Sequence, residues 1–298
     1  MRLLVTGGSG FLGGYVLREA SRRGHETVAL ARSPAAARAV ADRGAQPVAG
    51  NLDDTGNPGD AAQLDRVFAA SHCEVLVNLA SLGFGHAPAI VAAASEAGIG
   101  RAVFISSTAV TTTLAAPAKR VRLAAEQRIR ASALKWTILR PTMIYGAPGD
   151  RNLSRLLTLL HRVPLLPVPG GGSHLQQPVH VADVADAILN AAERPATAGA
   201  IYDVAGPVPL TFDELLRTSA RAVASRTRFV PVPLTPIVAA VRGYERLSQH
   251  PRIRAEQLLR LAEHKAYVID SAARDLGFNP RPFAVGIRAE AQTMGLAR

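Results

Sequence analysis

Apolar residues recur in short unbroken runs, among them Leu3-Leu4-Val5, Val28-Ala29-Leu30-Ala31, Val75-Leu76-Val77 and Ala102-Val103-Phe104-Ile105. Runs of this length suit strands covered on both faces. They predict strands over 2–6, 27–31, 46–50, 75–79, 102–106 and 136–140. Between them the spacing becomes helical, predicting helices over 11–23, 34–43, 61–70, 88–97 and 119–132. Strand and helix in alternation mean βαβ units, and right-handed crossovers then give an α/β fold with a doubly wound parallel sheet.

After Pro141 the rhythm changes. Helices are expected over 152–162 and 181–193, a loop rich in Pro and Gly over 163–178, and a short strand over 201–204. Thr211 reads as an N-cap for a helix over 212–224, with Glu214 completing a capping box. Further helices are expected near 236–248 and 251–264. This divides the chain into a main α/β part over 1–146, completed by about 178–204, and a smaller cap over 147–177 and 205–298. Doubly wound sheets bind ligands at the carboxyl ends of their strands, which is where the cap is expected.

The turn after the first strand is Gly7-Gly8-Ser9-Gly10-Phe11-Leu12-Gly13. Glycines turn tightly between strand and helix and let a diphosphate approach the backbone, while the free N–H groups of the helix start face the phosphates. Strand before and helix after are the context a Rossmann dinucleotide site demands. Gly7, Ser9, Gly10, Phe11, Leu12 and Gly13 are therefore assigned to cofactor binding. A NAD site usually carries an acid at the end of the second strand. Here that position reads Ala31-Arg32-Ser33, so Arg32 is expected to pair with a 2′-phosphate and Ser33 to add a hydroxyl, favouring NADP over NAD. Asn51-Leu52-Asp53 falls where the adenine edge should lie, with an N-cap as the equal alternative for Asp53.

Composition changes this picture little. The 298 residues are 48% hydrophobic, enough for one large α/β unit with a smaller addition. The net charge of +11 invites a nucleic-acid reading, but the arginines are scattered and no aromatic-interleaved basic segment exists, so no nucleic-acid partner is expected. The stretch 75–95 lacks charged residues but holds Asn78, Gly83, Gly85, His86 and Pro88, which argues against a membrane span. A strand beginning at Arg2 leaves no room for a signal peptide, and Cys73 stands alone, so a cytoplasmic location is expected.

Several motifs occur together in one order: the glycine turn, Asn78-Leu79-Ala80, Ser106-Ser107-Thr108, Leu139-Arg140-Pro141 through Ile144-Tyr145-Gly146, and Gln177-Pro178-Val179-His180-Val181-Ala182-Asp183. The chain thereby resembles the extended and atypical short-chain dehydrogenase/reductases, the NAD(P)-dependent epimerase/dehydratase group. The resemblance runs from Met1 to about Ala224. It implies hydride transfer on a sugar nucleotide or small carbonyl substrate, phosphorylated or not, with a homodimer as the assembly to consider. It also implies that Leu79, Ala80, Ser81, Ser106, Ser107, Pro141, Met143 and Ile144 line the cofactor.

In that family a Ser or Thr, a Tyr and a Lys in Y-x-x-x-K carry the chemistry. Thr108 matches the first. Ala125-Glu126 matches the family's K-x-x-A-E, which puts Arg122 at the lysine position and Ala118 at the tyrosine position. The tyrosine is missing. Arginine stays protonated and cannot serve as the acid, although it can bind the nicotinamide ribose. Thr108, Thr112 or Thr113 as hydrogen-bond donors, Lys119 as an acid and Tyr145 remain as candidates for the phenol's role, with a plain loop at 111–113, a surface helix turn at Lys119 and a packing role for Tyr145 as the alternatives. Arg151 and Arg155, expected on one helical face, and His180 are candidates for substrate contact, with a solvated helix end and a packed histidine as the respective alternatives. Gly171-Gly172-Ser173-His174 is no nucleophile elbow, and the eight histidines form no H-x-x-x-H pair, so no metal is expected. An oxidoreductase and a non-catalytic NADP-binding sensor or assembly subunit are the two readings left.

Overall fold

The computed structural model describes residues 1–53, 58–114, 116–147, 149–248, 255, 259 and 262–297. Its first half runs β1 (Arg2–Thr6), α1 (Phe11–Arg22), β2 (Glu26–Ala31), α2 (Pro34–Ala41), β3 (Gln46–Ala49), α3 (Pro58–Ser71), β4 (Val75–Asn78), α4 (Ala87–Glu96), β5 (Arg101–Ile105), α5 (Pro117–Arg130) and β6 (Lys135–Pro141). Then follow β7 (Ile144–Tyr145), α6 (Leu153–Arg162), β8 (Leu165–Pro169), β9 (Leu175–Gln176), β10 (Val179–His180), α7 (Val181–Glu193) and β11 (Ile201–Val204). The described elements end with β12 (Leu210–Thr211), α8 (Phe212–Ala222), β13 (Arg228–Val232), α9 (Leu234–Leu247), α10 (Asp270–Leu276) and α11 (Phe283–Thr293). The expected helix over 251–264 lies largely outside the described residues.

The chain divides into two compact units. The first comprises Met1–Thr142, Val181–Val204 and Ile269–Asn279. Its sheet has seven parallel strands in the order β11-β6-β5-β4-β1-β2-β3. The order reverses between β1 and β4, and a crevice at the carboxyl ends opens at such a switch point. The apolar runs are strands because both faces are covered: Leu3, Leu4, Val5, Leu76 and Val77 are fully buried. One core holds Leu4, Leu76, Phe68, Ile90, Phe104 and Ile129. Behind the sheet, Arg23 at the end of α1 donates to Glu19 on its own helix and to Asp186, Asn190 and Glu193 on α7. The segment 269–279, which the sequence assigns to the cap, belongs to this unit. Tyr202 donates to Asp275, and Asn190 and Arg194 donate to the carbonyls of Leu276 and Asp275.

The second unit comprises Met143–His180, Ala205–Val268 and Pro280–Arg298. Its core gathers Leu153, Leu157 and Leu160 of α6, Leu215 of α8, and Phe283, Ile287 and Ala291 of α11. Each set repeats at helical spacing. The Thr211–Glu214 capping box is formed. The expected loop over 163–178 instead contains β8 and β9, paired with β13 and β12. Pro164, Pro167, Pro169 and Pro231 hid these strands. A two-stranded ribbon is all edge, so a proline with its missing N–H turned outward is tolerated. No helix among the described residues is long and apolar enough to cross a membrane.

Candidate functional site

At the switch point of the first unit lies a cleft of about 370 Å3, lined by Gly7, Ser9, Gly10, Leu30, Arg32, Gly50, Asn51, Leu52, Asp53, Leu79, Ala80, Ser81, Phe84 and His86. Gly7 adopts φ +69°, and a Cβ there would lie 2.9 Å from the backbone of Leu79 and Ala80. Only glycine lets β1 and β4 approach so closely. A Cβ on Gly13 would sit 2.5 Å from the Gly7 carbonyl oxygen, so α1 can start this near the turn only with glycine there. A Cβ on Gly10, in contrast, would meet only the Gly7 oxygen, at 3.3 Å. Its other side opens on the cleft at the start of α1, where free backbone N–H groups suit an anion. Thr6 donates to Asn78 at 2.6 Å, and Asn78 donates to the Ala80 carbonyl at 3.1 Å, fastening the two strand ends beneath the cleft.

At the outer end Arg32 lies 3.2 Å from Asp53, and both are largely exposed. Asp53 also pairs with His86 at 3.2 Å. The N-cap alternative for Asp53 falls on residues 54–57, which lie outside the described residues; α3 is described from Pro58. The Asp53 backbone N–H donates to Asn51 Oδ1 at 3.2 Å, holding the 51–53 turn against the cleft. Ser33 is partly committed: its Oγ accepts from the Ala36 N–H as the cap of α2. Leu79, Ala80 and Ser81 line the cleft, and Ser81 Oγ accepts from the Gly83 N–H. His86 and Phe84 were not singled out in the sequence, because they follow a turn with no repeating pattern.

At the other end of the same sheet, polar groups bind one another. Ser106 Oγ donates to Glu126 at 2.6 Å, and Arg140 Nε donates to the same carboxylate at 3.0 Å. Glu126 raises the Arg140 guanidinium's affinity for its proton, and burial pushes the Asp203 carboxyl above its ordinary range. Ser107 Oγ accepts from the Ala109 N–H. Thr108 is buried, and its Oγ1 donates to the Pro141 carbonyl at 3.3 Å. Ser106, Ser107 and Thr108 therefore hold the loop after β5 in place. Lys119 Nζ donates to the Thr112 carbonyl, bringing two candidate residues together. The Arg122 guanidinium packs on Gly83, 3.2 Å from where a Cβ there would lie.

The remaining candidates belong to the second unit. Tyr145 is fully buried, edge-on to His180 and Phe283 at ring distances of 5.3 Å, with its hydroxyl against Gly286. An aromatic inside a core cannot hand a proton to an outside substrate, so Tyr145 is a packing residue. His180 is buried beside it. Met143 and Ile144 also lie in this unit, with Ile144 paired to Val179. Arg151 and Arg155 do not share a helical face, because α6 starts at Leu153. The helix start is already served by Asp150, whose carboxylate accepts from the N–H groups of Asn152, Leu153 and Ser154 at 2.7–3.0 Å.

A family model described as NAD(P)H-binding matches residues 7–195. The chain belongs to this family, with a glycine turn at the switch point of its doubly wound parallel sheet. It is 29% identical to the 4-hydroxy-2-methyl-3-oxo-4-farnesyl-3,4-dihydroquinoline-1-oxide ketoreductase of Stigmatella aurantiaca, over 94% of this chain and 92% of that protein. It is 28% identical to subunit 9 of the mitochondrial NADH dehydrogenase [ubiquinone] 1 alpha subcomplex of Arabidopsis thaliana, over 80% of this chain and 63% of that protein. In fold it is similar to UDP-glucose 4-epimerase of Thermotoga maritima, solved with UDP-glucose, with a TM-score of 0.75, 15% identity and 99% of each chain covered.

Proposed function

We propose that this chain is an NADP-dependent reductase of a small ketone. The observation that carries the reading is the cleft itself: a glycine cradle open at Gly10, with exposed Arg32 and no acid at the end of β2. The residues present fit the dinucleotide. Ser9 and Gly10 would receive the diphosphate, Arg32 the 2′-phosphate and Asn51 the adenine edge. Bound there, the reduced cofactor would supply the hydride for a carbonyl carbon, and the carbonyl oxygen would need a proton to complete the alcohol. Arg122, on α5 against Gly83, is the group for the nicotinamide ribose. With no phenol at Ala118, Lys119 is the nearest proton-bearing side chain on that helix, held by the Thr112 carbonyl. A ketone is favoured over a sugar nucleotide by the likeness to a ketoreductase along nearly the whole chain.

A second reading has its own observation. The missing tyrosine and the likeness to a subunit of NADH dehydrogenase fit a chain that holds NADP without turnover. NADPH oxidation against a panel of 3-oxo compounds, for wild type, Arg32→Ala and Lys119→Met, decides between them. Arg32→Ala should weaken NADPH by roughly 10- to 100-fold and leave NADH little changed. Lys119→Met should lower turnover with NADPH affinity intact. Tight NADPH binding with no oxidation on any ketone would establish the second reading.

A further inference from the structure

Arg43 lies behind the glycine turn, two residues past the end of α2. Its Nη1 donates to the Gly8 carbonyl at 2.7 Å and to the Gly10 carbonyl at 3.2 Å. No carboxylate pairs with it among the described residues, although it is half-buried. Burial, and after it the neighbouring Arg18, push its guanidinium toward releasing its proton. Gly14 makes room for it, since a Cβ at that position would lie 3.0 Å from the guanidinium carbon. This explains a second consecutive glycine that the dinucleotide motif itself does not require.

We propose that Arg43 is a positioning residue for the diphosphate of the bound dinucleotide. The inference rests on the cofactor reading above and adds a residue to it. In a planar trans peptide the C=O and the following N–H point in opposite directions. A fork that holds the Gly8 and Gly10 oxygens from behind therefore aims the Ser9 and Phe11 N–H groups forward. Ser9 and Gly10 line the cleft, so forward is toward the diphosphate. The same guanidinium leaves a positive charge, touched by no carboxylate and offset only from a distance by exposed Asp42, beneath the site where two phosphates would sit. An anion there lowers the cost of burying that cation, and the cation strengthens binding of the anion.

The test compares wild type, Arg43→Met and Arg43→Lys by calorimetry with NADPH, ADP-ribose and adenosine 2′-monophosphate. The first two ligands carry the diphosphate; the third does not. Arg43→Met should weaken NADPH and ADP-ribose by roughly tenfold or more, with adenosine 2′-monophosphate changed less than about twofold. Arg43→Lys, which keeps the charge without the fork, should recover part of the loss. The salt dependence of ADP-ribose binding should also be shallower in Arg43→Met than in wild type. Unchanged ADP-ribose affinity in Arg43→Met would overturn the assignment. An equal loss for all three ligands would also overturn it, by showing that Arg43 only supports the fold. If wild type binds neither NADPH nor ADP-ribose, the cofactor reading itself fails, a result distinct from either.

Discussion

The two ends of the central sheet treat their polar groups in opposite ways. At the β1–β2 end, Arg32 and Asp53 stand largely in solvent around an open cradle. At the β5–β6 end, Ser106, Glu126 and Arg140 are closed upon one another, with Glu126 only 3% exposed. A polar group that faces solvent can exchange water for a ligand at little cost. One already paired in low dielectric cannot, because leaving its partner exposes the full desolvation penalty. The first end therefore stays open to solvent, and the second holds α5, which carries Lys119 and Arg122, against the sheet.

Breaking the closed end should have the largest effect. Glu126→Ala leaves the half-buried Arg140 without its carboxylate and should destabilise the fold by about 3–5 kcal/mol. Denaturant unfolding reads this directly; a variant as stable as wild type would mean the cluster is not closed as described. Next comes Gly10→Val at the open end. It should weaken NADPH by about 100-fold or more, roughly 2.7 kcal/mol, because the side chain fills the cradle. Its unfolding midpoint should stay near that of wild type, since the new Cβ approaches only the Gly7 oxygen. Loss of stability equal to that of Glu126→Ala would erase the contrast between the ends.

The smallest effect sharpens the comparison through pH. Burial raises the Asp203 carboxyl above its ordinary range. Between the unfolded and folded values the folded chain then binds more protons, so stability falls as pH rises through that window and levels off above it. At neutral pH Asp203 costs stability. Asp203→Asn should add less than about 1 kcal/mol at pH 7 and flatten the slope in the acid range. Thermal melts across pH 4–8 check the sign; a slope unchanged by the substitution would place the proton elsewhere.

The open end was legible from residues close together in sequence. The glycine turn follows a buried run and starts a helix, and Arg32 replaces an acid at a fixed place after β2. Arg43 was not legible, since it reaches back more than thirty residues to Gly8 and only the structure shows which carbonyls it serves. The alternation that predicts strands also failed at β8 and β13, where prolines sit on ribbon edges. Tyr145 was legible both as a candidate and as a residue that packs, but the neighbours that bury it were not. Its burial depends on Phe283 and Gly286, far along the chain, and on the absence of a side chain at the latter. The pairing of Lys119 with Thr112 joins two candidates that the sequence offered separately.

The Arg23 network has a mechanical consequence for the opposite end of α1. The helix has 12 residues, and at about 1.5 Å per residue it is a rod roughly 18 Å long. Its far end is clamped to α7 through Asp186, Asn190 and Glu193. A rod free to swing by about 5° at one end would carry its tip through about 1.6 Å, half the length of a hydrogen bond. The clamp thus acts as the fixed end of a lever whose tip is the glycine turn. Slack introduced at Arg23 is transmitted along α1 as misaim at Phe11, well away from the altered side chain.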